Sequence, residues 1–229
     1  MELADRPFVQ TDMRLTFALL LFITTPVTAQ DQWKNVYSEV AWKERDAWQK
    51  ADEIIDFLAL PEYGRVADIG CHEGYMTVKL SAKVPNGTVY SVDINTSRLE
   101  KLAEILKARN IYNVRAIHGE AADPKLPIDS LDGVLIVDTY HEMKSHDEVL
   151  KHVMKALRHS GRLVICEPIA ENRRTWTRSQ QEEKHELNIK FALEDLRRAG
   201  FQIVLKRDPF VDREKIKGDK MWIIVARKP

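Results

Sequence analysis

From residue 61 onward, short apolar runs alternate with longer stretches in which apolar residues recur every three or four positions. The short runs predict strands at residues 65–69, 88–92, 114–118, 133–137 and 162–166. The longer stretches predict helices between them. The first carries Met76, Leu80 and Val84 on one face. The second starts from a cap at Asn95 or Thr96 and buries Leu99, Leu102 and Leu106. Ser145 and Glu148 have the spacing of a capping box, opening a helix that turns Val149, Val153 and Leu157 inward. A last helix over 187–199 closes at Gly200, and residues 201–205 and 221–226 predict a closing strand pair. Strands that are apolar almost throughout, separated by helices, imply an α/β fold with a parallel sheet covered on both faces.

Upstream, residues 30–60 predict a helical cap segment that ends before Pro61. Trp48, Ile54, Ile55, Leu58 and Leu60 form its apolar stripe, while Tyr37 and Trp42 stand among polar residues and are divided between packing and the site. Residues 1–29 have a different character. Arg14 precedes the apolar run 15–23, followed by small residues at Val27 and Ala29, which is the pattern of a cleaved secretory signal, with Met13 a second candidate start. The run is shorter than the roughly 20 residues that span a bilayer, so no stable membrane insertion is expected. Export to the periplasm or medium follows, with a cytoplasmic location if the signal reading fails.

At 229 residues the chain suits one domain, and 44% hydrophobic content supports a packed core. The 35 basic residues balance the 35 acidic ones, so bulk charge does not recruit nucleic acid. A monomer or weak homodimer is expected. Cys71 lies just past the first predicted strand and Cys166 near the end of the fifth, and both are expected to be free thiols. No His, Cys and Asp fall at metal-site spacings, so no metal is predicted.

Ligands of an open α/β sheet bind beyond the carboxyl ends of the strands. That rule selects Gly70–Gly74, Asp93, Glu120–Asp123 and Asp138–Glu142. The segment Val66-Ala67-Asp68-Ile69-Gly70-Cys71-His72-Glu73-Gly74 joins a strand to a helix through a glycine turn, and Asp93 ends the next strand about 20 residues on, where a ribose is gripped. A dinucleotide turn needs glycine at 70, 72 and 75, but His72 and Tyr75 stand there, which argues against a nicotinamide oxidoreductase. The spacing D-x-G-x-G-x-G fits Asp68, Gly70 and Gly74, departing at His72. A left-handed conformation at His72 costs about 1–2 kcal/mol, which the turn survives.

This pattern, with Glu120 to Asp123 and the strands at 133–137 and 162–166, resembles the class I S-adenosylmethionine (SAM)-dependent methyltransferases over residues 40–229. The resemblance implies a Rossmann-like doubly wound sheet in the order 3-2-1-4-5-7-6 with a C-terminal antiparallel hairpin. It also implies SAM as cofactor and a small-molecule acceptor. Asp68, Gly70, His72 and Gly74 would cradle the methionine part, Asp93 the ribose, and Ile94 the adenine face. Glu120 and Ala121 would line the adenine edge with Asp123 as a second acid, and Asp138 and Thr139 would flank the methionine amino end. A SAM-binding protein without transfer activity is the other reading. Transfer from a sulfonium needs chiefly alignment, with a base only for a poor nucleophile. His141 is the first candidate for base or acceptor positioning, with Tyr140 and Glu142 beside it and Glu167 and His185 weaker. The polar stretch 171–184 is read as a solvated connection, with a lid over the acceptor as the other reading.

Overall fold

The computed structural model describes residues 39–229, all within a compact unit spanning Tyr37–Pro229. The expected signal segment, Tyr37 and the start of the expected cap segment lie outside the described residues.

Two short helices, α1 (Glu39–Asp46) and α2 (Ala51–Asp56), lead into the alternating part. The cap segment is therefore broken rather than continuous, and Lys50, in the left-handed region at φ 53°, makes the break. There follow β1 (Arg65–Ile69), α3 (Tyr75–Lys83), β2 (Thr88–Asp93), α4 (Thr96–Ala108), β3 (Val114–His118) and β4 (Leu131–Val137). A 3-10 turn at Tyr140–Glu142 leads to α5 (His146–Ala156) and β5 (Leu157–Ile169). Then come α6 (Arg178–Glu182), α7 (Ile189–Arg198), β6 (Gln202–Asp212), α8 (Glu214–Lys217) and β7 (Lys220–Arg227). The strands form one sheet in the order β3-β2-β1-β4-β5-β7-β6. The pairings among β1 to β5 are parallel, and β7 is antiparallel to both neighbours. Sheet order and closing hairpin are those expected.

Side chains along each central strand alternate between two cores. Val134 and Ile136 of β4 join Leu150 and Val153 of α5, Leu196 of α7 and Trp222 of β7. Leu135 and Val137 face the other way, onto Ile54 and Ile55 of α2 and Leu80 of α3. Each fully buried leucine or isoleucine contributes about 1.5–3 kcal/mol, so α2 is held by its apolar face and not by its short backbone ladder. Trp42 packs edge-on against Tyr75, with ring centroids 5.8 Å apart, and is a core residue. No helix among the described residues is long and apolar enough to cross a membrane.

Three local expectations differ from the fold. Leu157 is not the last inward residue of α5 but the first of β5, where it pairs with Leu131 of β4. Its ψ of 138° has already left the helix. The proposed capping box is absent: Ser145 makes no side-chain cap bond, and Glu148 pairs with Lys151 at 2.6 Å instead. The stretch 171–184 is largely exposed, as expected of a solvated connection, but is more structured than that expectation. A capping box formed by Thr177 and Gln180 starts α6, while Arg174 binds Asp208 and Arg178 binds Asp195 bidentately.

Candidate functional site

The carboxyl ends of β1, β2, β4 and β5 meet along one edge of the sheet. After β1 the backbone makes the turn, with left-handed φ at Gly70 (76°), His72 (51°) and Gly74 (97°). A Cβ at Gly70 would stand 2.1 Å from Thr139 Cγ2, so this position admits no side chain. The same closeness locks the β1 turn to the β4 turn, with Thr139 Oγ1 also 3.4 Å from the Gly70 carbonyl. At Gly74 a Cβ would meet Leu102 of α4 at 2.3 Å.

His72 does adopt the strained conformation. The strain is offset by its N–H, which donates to Asp93 Oδ2 at 2.9 Å. Burial, then the charges of Arg98 and Arg45, push its imidazole down to about 3, so the ring is neutral. Asp93 Oδ1 accepts from Asn95 N at 2.9 Å. Asp93 thus clamps the glycine turn, and each of its oxygens keeps a second lone pair. Ile94, directly after it, is 63% exposed at the place expected for an adenine face.

Asp68 lies deeper than expected. It is buried, its Oδ2 accepts from Thr77 Oγ1 at 2.7 Å, and Thr77 Oγ1 lies 2.8 Å from Ser91 Oγ. Burial raises its carboxyl to about 6 against the opposing Thr77 bond and Arg45 charge. Asp68 therefore ties α3 to β1 and β2 and positions the turn without lining it. Glu120 and Ala121 are exposed beyond β3, and Glu120 N donates to the Asp123 carbonyl at 2.8 Å. Asp123 is drawn toward His152 of α5, at 3.3 Å, and Glu120 pairs with Lys125 at 2.8 Å.

Beyond β4 the shape is made by side chains. Asp138 has φ 56°, and its Oδ2 lies 3.3 Å from Arg213 Nη1. Burial raises the Asp138 carboxyl, but the Arg213 charge outweighs it and holds the group below its usual value. Arg213, from the end of the β6 hairpin arm, is buried and also paired with Asp219. Glu167, fully buried on β5, accepts from Thr139 N at 2.7 Å, Tyr140 N at 2.9 Å and His141 N at 3.3 Å. Its Oε2 also meets His141 Nδ1 at 2.5 Å. His141 Nε2 lies 3.2 Å from Glu142 Oε1, and that oxygen is in contact with His185 Nδ1.

Two assignments change. Burial pulls the His141 imidazole down, but the Glu167 charge and the bonds to Glu142 and Glu167 outweigh it and lift it to about 10. His141 is therefore a cation and donor at neutral pH, not a resting base. Its hydrogen bond in turn leads the effects that bring Glu142 down to about 2. Tyr140 is fully buried, donates to Asp195 Oδ2 at 2.9 Å and packs edge-on against His146 at 4.6 Å. It anchors the turn through that bond. Glu167 and His185, ranked low on sequence, contact His141 and Glu142 respectively. The signal for Glu167 was a lone acid ending an apolar strand. Arg213 carried no signal. The absence of metal-site spacings along the chain does not extend to space, because the fold gathers His141, Glu142 and His185. Both cysteines are buried free thiols with β4 between their strands.

The sheet order with its antiparallel hairpin, and a glycine turn followed by an acid at the end of β2, are the arrangement that the resemblance to class I SAM-dependent methyltransferases led one to expect. Residues 66–161 match the sequence family described as Methyltransferase domain. (S)-Coclaurine N-methyltransferase of Thalictrum flavum subsp. glaucum is 28% identical over 100 residues, 44% of this chain and 27% of that protein. Demethylmenaquinone methyltransferase of Anoxybacillus flavithermus is 25% identical over 138 residues, 60% of this chain and 57% of that protein. The chain thus spans little more than half of the second relative and about a quarter of the first. A SAM-dependent methyltransferase of Aquifex aeolicus superposes with a TM-score of 0.68 at 17% identity, covering 84% of this chain and all of that one. The donor set fits SAM: a buried carboxylate at the ribose position, an exposed aliphatic residue beside it, and a turn closed to side chains at Gly70.

Proposed function

We propose that this protein transfers the methyl group of SAM to a small-molecule acceptor bound beside the turn after β4. The observation that carries this reading is the contact of Gly70 with Thr139. It places the nucleoside-type turn directly against the loop that bears His141 and Glu142. SAM supplies an electrophilic methyl on a sulfonium with a good leaving group. Asp93 holds the ribose hydroxyls, Ile94 and Ala121 flank the adenine, and Asp138 with Thr139 faces the methionine end. His141, held between Glu167 and Glu142, shapes the acceptor side and helps to orient the acceptor, which is proximity work. A charged His141 with a strongly acidic Glu142 leaves proton removal from the acceptor to something other than these two side chains. Export through residues 1–29 belongs to the same reading and is supported by the order of basic, apolar and small residues. Amino-terminal sequencing of the secreted or periplasmic fraction tests it.

The central test is calorimetric titration of the full chain with SAM and with S-adenosylhomocysteine. Both should bind in the micromolar range. Asp93→Ala, verified as folded by its melt, should weaken binding severalfold to a hundredfold, because a charge-assisted bond contributes about 1.5–3 kcal/mol. A folded protein that binds neither compound sinks the proposal.

A further inference from the structure

His141, Glu142 and His185 bring two imidazoles and a carboxylate to one point, with one ligand atom from each lying within 4.8 Å of the others. The three come from two segments: the turn after β4, and the end of the α6 region, where His185 has φ 57°. Tetrahedral ligands on bonds of about 2.1 Å stand about 3.4 Å apart. The 3.2 Å between His141 Nε2 and Glu142 Oε1 is already close to that edge length. The rings of His141 and His185 are inclined at 73° with centroids 6.0 Å apart, so they approach from different directions instead of stacking.

The surroundings are those of a ligand histidine. A metal-binding imidazole typically gives its other nitrogen to a carboxylate that fixes tautomer and orientation. Glu167 does this for His141 Nδ1, and Glu167 is itself immobilised by three consecutive backbone N–H groups. Nε2 therefore points outward at Glu142. Glu142 and His185 are exposed, so the fourth direction opens to solvent at the sheet edge where the acceptor is placed.

We infer that His141 Nε2, Glu142 and His185 bind a divalent first-row transition cation with one open position, to which an acceptor thiol or hydroxyl coordinates. Two nitrogens and one oxygen suit zinc or cobalt better than the hard cations magnesium and calcium. Binding displaces the proton that bridges these groups in the metal-free protein. A coordinated thiol or hydroxyl loses its proton to solvent more readily than a free one. The resulting anion attacks the sulfonium methyl carbon. The carbon–sulfur bond of SAM breaks, and its electron pair remains on sulfur as a neutral thioether. The cation would thus supply the activation that no side chain of this edge supplies. The inference rests on the acceptor edge described above but not on SAM binding.

The test is titration of the chelator-stripped full chain with Co²⁺ alone, read by visible absorption, and with Zn²⁺ by calorimetry. One equivalent should bind, with the absorption of a low-coordinate cobalt site. His185→Ala and Glu142→Gln alter exposed side chains, so both should fold, and each should weaken binding at least tenfold. His159→Ala, at an exposed histidine beyond this edge, should leave binding unchanged. No stoichiometric binding, or His185→Ala binding as tightly as the parent chain, overturns the site and makes the cluster an ion-pair network only. SAM binding without metal binding would overturn this inference alone, and metal binding without SAM binding would overturn methyl transfer alone.

Discussion

The two halves of the ligand edge are built by opposite means. After β1 the backbone makes the shape: left-handed glycines, a strained His72, and one carboxylate, Asp93, receiving two N–H groups from its own neighbourhood. After β4 the shape is held by side chains that arrive from afar, with Glu167 from β5, Arg213 from the hairpin and His185 from beyond α6. The first design tolerates almost no change in volume. The second distributes its cost over several partners, so that losing one leaves others engaged.

Gly70→Ala should break the contrast most severely. It adds a Cβ 2.1 Å from Thr139 at a left-handed position, and should cost about 4 kcal/mol or abolish folding. Denaturant unfolding measures it, and a loss below about 1 kcal/mol would mean the two turns are not locked together.

Asp68→Asn comes next and should stabilise the protein. The Asp68 carboxyl has a pKa of about 6 when folded against 3.8 in a free chain. Burying it therefore carries no charge penalty below pH 3.8. The penalty grows as pH rises through 6, reaching about 3 kcal/mol. Asparagine still accepts from Thr77, so the variant should gain stability over the parent above pH 6 and show no gain near pH 3.5. A difference that does not change with pH contradicts this account.

Tyr140→Phe should have the smallest effect. Asp195 keeps Arg178 and Arg198, so the loss should be about 1 kcal/mol with SAM affinity unchanged. A collapse of SAM binding in this variant would return Tyr140 to the site.

The same contrast explains what the sequence revealed. Central strands buried on both faces appear as uninterrupted apolar runs, and the glycine turn and Asp93 lie within about 25 residues of one another, as the fold family's spacing requires. Their meaning is local, so pattern alone located them. Glu142 and His185 are 43 residues apart, and Asp138 and Arg213 are 75 apart. Nothing in the composition around any of them encodes the pairing, which exists only once β5 and the hairpin are in place. Leu157 was misassigned for a related reason. It continues the spacing of Val149 and Val153, but its partner Leu131 claims it for the sheet.

Glu167 carries one more consequence. Thr139, Tyr140 and His141 form a loop, and loop amides ordinarily exchange their hydrogens with solvent quickly. Here all three donate to a carboxylate with no exposed surface, on a strand paired on both sides. Solvent reaches these amides only when the middle of the sheet opens. In deuterium oxide this loop should therefore keep time with the core, its three amides persisting about as long as those of β4 and β5 while the exposed residues around it exchange early.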